Sequence, residues 1–188
     1  QIELQASFVF DPDMKATNNH DNFLKTPGSV TAAYVEGMHV NNCIFGMLSA
    51  AGFDYEVGVT GSTITQSRFE QIGAAGIQVG GVRVRDAQPY SDITYEQGVL
   101  NESAGADPER ITEDVLVFSN ALDTIGNNFK GSIGIWAGYV RDCTIAQNQV
   151  TNVAYSGISA GWGWGIWDKG GRADQNYYKF DTPSIQER

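Results

Sequence analysis

Histidine, cysteine and basic charge are scarce in this chain, and each scarcity removes a class of protein. The two histidines, His20 and His39, and the two cysteines, Cys43 and Cys143, form no HxH, HExxH or CxxC spacing, so a zinc centre is not expected. Lys and Arg total 12 against 22 Asp and Glu, a formal charge of −10. That balance repels phosphate backbones and anionic lipid, which excludes nucleic acid and membrane surfaces as partners. No apolar run approaches the roughly 20 residues that span a bilayer. The start QIELQASFVFDPD lacks the basic segment of a signal peptide, and the chain is expected to be soluble. Five prolines and no low-complexity tract leave nothing that reads as a linker, so residues 1–188 are taken as a single domain. There is no GxSxG elbow or P-loop, and GISAGWGWG lacks the spacing that cradles a pyrophosphate.

What is present is glycine, 22 residues of it, with Asn, Thr, Ser, Val and Ile in short alternating runs, the composition of strands separated by turns. Self-similarity organises these runs. VNNCIFGMLSAAGFDY from Val40 aligns without a gap on ITQSRFEQIGAAGIQV from Ile64, an offset of 24. Val40 matches Ile64, Phe45 matches Phe69, Leu48 matches Ile72, Gly52 matches Gly76, Phe53 matches Ile77 and Tyr55 matches Val79. A third copy starts at Val117, with an insertion near NNFKG, and a fourth at Ile145. Such a unit cannot bury its own apolar positions, whereas stacking copies buries them. The expected fold is all-β: a right-handed parallel β-helix, a solenoid of about 24-residue coils, with Val40, Ile64, Val117 and Ile145 in one column. The small or polar residues Cys43, Ser67, Asn120 and Asn148 form a second column. This is expected to be a partial hydrogen-bonded ladder at a turn, where Asn tolerates left-handed backbone.

Residues 82–114 interrupt the repeat with eight acidic residues against three arginines. An excursion loop of this length is functional or disordered. Its carboxylates and backbone carbonyls are a candidate calcium site, the one cofactor the sequence suggests, and Asn101-Glu102-Ser103 is a glycosylation sequon. Cys43 and Cys143 fall three layers apart, about 14 Å at ~4.8 Å per layer, beyond the ~7 Å reach of a disulfide. They are expected as free thiols. Stacked coils also leave unpaired strand edges at both ends, so residues 1–27 and 166–188 are expected covers, and homo-oligomers through the ends the alternative.

Strand alternation predicts which side chains leave the core. With Phe53, Tyr55, Ile77, Val79, Ile135, Ala137, Ile158 and Ala160 inward, Asp54, Gln78, Trp136 and Ser159 form an outward column, with Glu56 just beyond and Tyr139 and Trp162 in equivalent positions. Aromatic faces beside carboxylates and amides are what a sugar-binding cleft requires, so the expected partner is a polysaccharide or oligosaccharide. Trp136, Tyr139, Trp162, Trp164 and Gln78 are the candidate binding residues; packing beneath a loop or terminal cap is the other reading of Trp162 and Trp164. Glycoside hydrolysis needs two carboxyls about 5 to 9.5 Å apart. Asp54 and Glu56 on one strand face would stand roughly 6 to 7 Å apart, and Asp142 and Asp168 are further candidates, although an exposed Asp-x-Glu is ordinarily a solvated face. A polysaccharide lyase would want a basic residue by the groove, and Arg141 is the obvious one.

The stretches NCIF…GFDYEVGV, QSRFEQIGAAGIQVGG and SIGIWAGYVRDCTIAQNQVTNVAYSGISAGWGWG resemble the right-handed parallel β-helix repeat proteins of bacteria. More narrowly, they resemble α-L-fucosidase-like and xylanase-like glycoside hydrolases acting on plant cell-wall glycans. The resemblance covers about residues 28 to 188, and Tyr155 to Gly165 is its most specific part. It implies a secreted or periplasmic protein and a glycoside hydrolase activity on plant or microbial polysaccharide. It also implies an internal piece of a longer enzyme, or a shortened relative, because in that group further Asp- and Gly-rich coils follow the GWGWG segment. It assigns no catalytic residue. A non-catalytic carbohydrate-binding or structural solenoid is the alternative function.

Overall fold

The 24-residue offset in the apolar positions is realised as strand pairing. A computed structural model describes residues 3–4, 26, 28–80, 112–138 and 140–160. Among these residues there are strands and turns but no helix, hence none long and apolar enough to cross a membrane. The strands form three five-stranded sheets. The first holds β1 (Glu3–Leu4), β4 (Ile44–Leu48), β7 (Arg68–Ile72), β10 (Ala121–Ile125) and β14 (Gln149–Val153). The second holds β2 (Gly28–Ala32), β5 (Ala51–Tyr55), β8 (Ile77–Gly80), β11 (Ile135–Gly138) and β15 (Ile158–Ala160). β3 (His39–Asn41), β6 (Thr60–Thr65), β9 (Thr112–Phe118) and β12 (Val140–Arg141) make the third, where β13 (Thr144–Ala146) also pairs with β9.

From β2 onward the chain visits the second, third and first sheets in rotation, and strands one round apart pair in parallel. The crossover that a parallel pair requires is supplied here by strands of the other two sheets. Val40 pairs with Ile64, Ile64 with Val117 and Val117 with Ile145, as the repeat predicts. Phe45, Phe69, Leu122 and Val150 form a second column. Phe53, Ile77 and Ile135 form a third, on the second sheet.

Residues from all three sheets meet in one buried cluster. The Phe45 and Phe69 rings stack at 4.6 Å and 5°, while Phe53 meets Phe45 and Tyr55 edge-on at 5.8 and 4.9 Å. Tyr55 is fully buried, yet its hydroxyl stands 2.9 and 3.0 Å from the Met38 and Thr63 carbonyls. Burial pushes its ionisation well above the ordinary tyrosine range. At the last strand Ile158 and Ala160 keep the register of the inward Ile135 and Ala137 but not their burial, Ile158 being 50% exposed and Ala160 also exposed. Among the described strands β15 pairs with β11 alone, so none of them covers its other side.

The ladder at Cys43, Ser67, Asn120 and Asn148 is present, but the left-handed backbone lies one residue earlier. Asn42, Gln66, Ser119 and Gln147 have φ between 51° and 56°. The ladder residues instead carry hydrogen bonds between rounds. Ser67 N–H donates to Asn120 Oδ1 at 2.9 Å, and Asn120 Nδ2 donates to the Ile64 carbonyl and to Asn148 Oδ1, each at 2.9 Å. Cys43 N–H donates to Ser67 Oγ at 3.1 Å. Both cysteines are free thiols, as expected.

The insertion at NNFKG is a small arch over the corner between the first and second sheets. Asn128 and Phe129 N–H both donate to the Gly73 carbonyl at 2.9 Å, and Phe129 packs on Ala51, Ala74 and Ala75. A methyl at Gly73 would come within 2.1 Å of the Ser49 carbonyl oxygen, so this corner closes only with glycine. The excursion loop ends earlier than its composition suggests, since Thr112–Asp114 already belong to β9. Residues 82–111, with the sequon and all the candidate calcium carboxylates except Glu113 and Asp114, lie outside the described residues, as do residues 166–188. Of the expected N-terminal cover, Glu3–Leu4 pairs with the edge of β4.

Candidate functional site on the second sheet

Parallel register brings the expected polar column together. Thr31 pairs with Asp54, Asp54 with Gln78, Gln78 with Trp136 and Trp136 with Ser159. Each residue lies between two inward apolar neighbours on its strand, so the pleat turns it to the sheet's outer face. The column does not form an open cleft, however. Asp54 is 3% exposed, Gln78 0% and Trp136 7%, whereas Thr31 is exposed and Ser159 half-buried. The expectation of a solvated Asp-x-Glu face is therefore corrected, and one buried contact on it is made at Thr26. This residue, itself fully buried, brings its backbone carbonyl to 2.9 Å from Gln78 Nε2.

The Gln78 amide is used in two directions. One N–H goes to the Thr26 carbonyl and the other to Asp54 Oδ2 at 3.1 Å. A buried carboxylate needs such donors, because leaving water unpaired would cost several kcal/mol. Glu56 follows β5 on the same side of the strand. Its backbone N–H donates to the Ala32 carbonyl at 2.8 Å, its carbonyl accepts the Thr112 hydroxyl at 3.2 Å, and its Oε2 atom is buried. Two carboxylates, an amide and an indole thus share one largely dry face, where charge interactions are stronger than in water.

Asp142 is not part of this group. It lies in the bend between β12 and β13, on the third sheet, exposed and with φ 52°. The register places it in line with Gly37, Gly61 and Asp114, all at φ between 51° and 66°. Asp tolerates that left-handed position better than most residues, so its geometry there has a backbone reason. The neighbouring Cys143 thiol is pushed up, first by burial and then by the negative charges of Asp114, Asp142 and Glu113, against a lowering backbone hydrogen bond at Val115. Arg141, the basic residue a lyase would use, is bonded through Nε and Nη2 to Glu113 on the same sheet, the Nε contact being 2.7 Å. Tyr139, Trp162, Trp164 and Asp168 lie outside the described residues.

Thr26 and Gly28 belong to the site and were not legible as such. Neither stands in the repeat, and a backbone carbonyl leaves no mark in a sequence. A third polar network, on the first sheet, stands apart. Asp123 Oδ1 accepts Thr151 Oγ1 and Asn152 Nδ2 at 2.7 Å each, and Oδ2 accepts Thr124 Oγ1 at 2.8 Å. These bonds, Thr151 foremost, hold the Asp123 carboxyl below its ordinary range. Among the described residues no three His, Cys, Asp or Glu side chains are placed to hold a metal ion.

No family model and no curated protein matches the chain. Among solved structures, the chain is similar to one named a glycoside hydrolase, with a TM-score of 0.58 and 27% identity. The likeness covers 73% of this chain and 21% of the other, so this chain spans about a fifth of that protein's length.

Proposed function

We propose that the chain is a right-handed parallel β-helix with a carbohydrate-active role, as part of a glycoside hydrolase acting on plant or microbial polysaccharide. The observation that carries the reading is the likeness to a solved glycoside hydrolase over 73% of the chain, joined to a register-stacked column of Asp54, Gln78 and Trp136 on one outer face. In this reading Trp136 offers the apolar face of its indole to the C–H surface of a sugar ring, and Gln78 bonds hydroxyls. Asp54 and Glu56, roughly 6 to 7 Å apart by strand rise, take the two carboxyl roles. One protonates the glycosidic oxygen, and the other attacks the anomeric carbon or activates water.

A second reading is favoured by the bond between Gln78 and Asp54 in a buried setting, which serves a non-catalytic binding or structural solenoid equally well. Incubating the purified protein with a panel of polysaccharides, and following both reducing-sugar release and retention on insoluble glycan, separates the two. Release that is lost in both Asp54→Asn and Glu56→Gln supports the hydrolase. Retention without release supports the binding module, and neither activity on any glycan overturns the carbohydrate reading.

A further inference from the structure

The apolar columns that run along the stack are closed at one end and open at the other. Near the start Val40, Phe45, Leu48 and Phe53 are buried, and the edge of β4 is taken by β1. Their counterparts in the last described round are Ile145, Val150, Val153 and Ile158. The first three are half-buried and Ile158 is 50% exposed. Among the described strands β14 pairs with β10 alone and β15 with β11 alone, so both present the outer row of backbone N–H and C=O groups that another strand can use. The same round carries no charge. From Cys143 to Ala160 there is no Asp, Glu, Lys or Arg, whereas earlier strands hold Asp54, Arg68, Glu70, Glu113 and Asp123. Single edges are ordinarily guarded by charged side chains, lysine above all, and this edge has none.

We infer that this end is the docking surface for a second copy of the chain, met end to end across a two-fold axis, with the free strand edges of the two copies adding to one another. Charge selects that partner and that approach. Two copies at −10 each repel, and the repulsion is least where a round without charge faces its like. A two-fold axis turns the facing strands antiparallel, a pairing at least as stable as the parallel pairs within each copy. It also covers Val150, Val153 and Ile158 of both copies, which withdraws apolar surface from water. Head-to-tail stacking would need the opposite end, where β1 already pairs with the edge of β4, so the assembly closes at two. The inference is independent of the carbohydrate reading, and no glycan enters its test.

The measurement is sedimentation equilibrium of the full chain from about 1 to 100 μM, the range of ordinary reversible association. A monomer–dimer equilibrium that stops at two is expected, and it should tighten with added salt, because screening relieves the repulsion between acidic copies. Gln149→Lys, at an exposed position of β14, and Ile158→Lys should each raise the dissociation constant about tenfold or more, since each sets a charge into the interface of both copies. The direction separates this from general electrostatics. Lysine makes each copy less acidic, which by itself would tighten the dimer. Circular dichroism checks that the variants fold, and should Ile158→Lys unfold, the exposed Gln149→Lys carries the test alone. A strict monomer at about 100 μM overturns the inference. Growth beyond two overturns the two-fold closure, and a dimer as tight in folded Gln149→Lys as in the wild-type chain places the contact elsewhere and overturns it as well.

Discussion

Replacing Asn120 by alanine tests the ladder that ties successive rounds together. Asn120 is 2% exposed, and its side chain makes three hydrogen bonds: from Ser67 N–H, to the Ile64 carbonyl and to Asn148 Oδ1. A typical bond contributes about 1 kcal/mol net, and a buried donor left without a partner costs about 1 to 3. Alanine removes all three and strands the buried Ser67 N–H. Asn148 Oδ1 keeps the Asn120 backbone N–H at 2.9 Å, so its loss is partial. The sum is about 3 to 4 kcal/mol, a large share of the roughly 5 to 15 that stabilise a domain. Urea denaturation should show a lower midpoint at unchanged slope. The control is Asn41→Ala, which removes an exposed bond of 2.7 Å to Thr65 Oγ1 and should cost less than about 0.5 kcal/mol. Equal midpoints for the two variants, or a loss below about 1 kcal/mol at Asn120, would show that the ladder follows the packing instead of supporting it.

Other expectations can be checked by similar means. Phe69→Ala removes the ring that stacks on Phe45 at 4.6 Å and should cost about 3 to 5 kcal/mol, with Phe69→Leu well below that, in the same denaturation series. Gly73→Ala sets a methyl against backbone at the Ser49 carbonyl and should destabilise by about 3 kcal/mol or more, visible as a lowered melting temperature. Asp123 has a depressed folded-state pKa, so its contribution is present above the ordinary aspartate value of 3.8 and is lost as pH falls through the lower folded value. The stability difference between the wild-type chain and Asp123→Asn should therefore be constant near neutrality and shrink below about pH 4; a difference that persists undiminished well below that range would exclude the carboxylate as its source. Thiol titration in denaturant without reductant should count both Cys43 and Cys143, and a count of zero would contradict the free thiols.

The period and the register of this protein are written in its sequence. Apolar residues recur at matched offsets, and in a two-sided strand a slip of one residue would turn every one of them outward. Val40, Ile64, Val117 and Ile145 could thus be stacked before any coordinates, and with them the outward parity of Asp54, Gln78 and Trp136. The ladder was legible for the same reason, as small polar residues at one recurring position. Sequence could not decide what lies over an outer face, because a strand's alternation distinguishes the two sides of a sheet but not water from backbone on the far one. The Thr26 carbonyl bonded to Gln78 and the close approach of Gly28 to Asp54 are contacts that no periodicity encodes. Asp142 was equally undecidable by residue type. An aspartate at a left-handed bend and one in a cleft read alike, and only the pairing of β12 with β9 places it on the third sheet, away from Asp54 and Glu56.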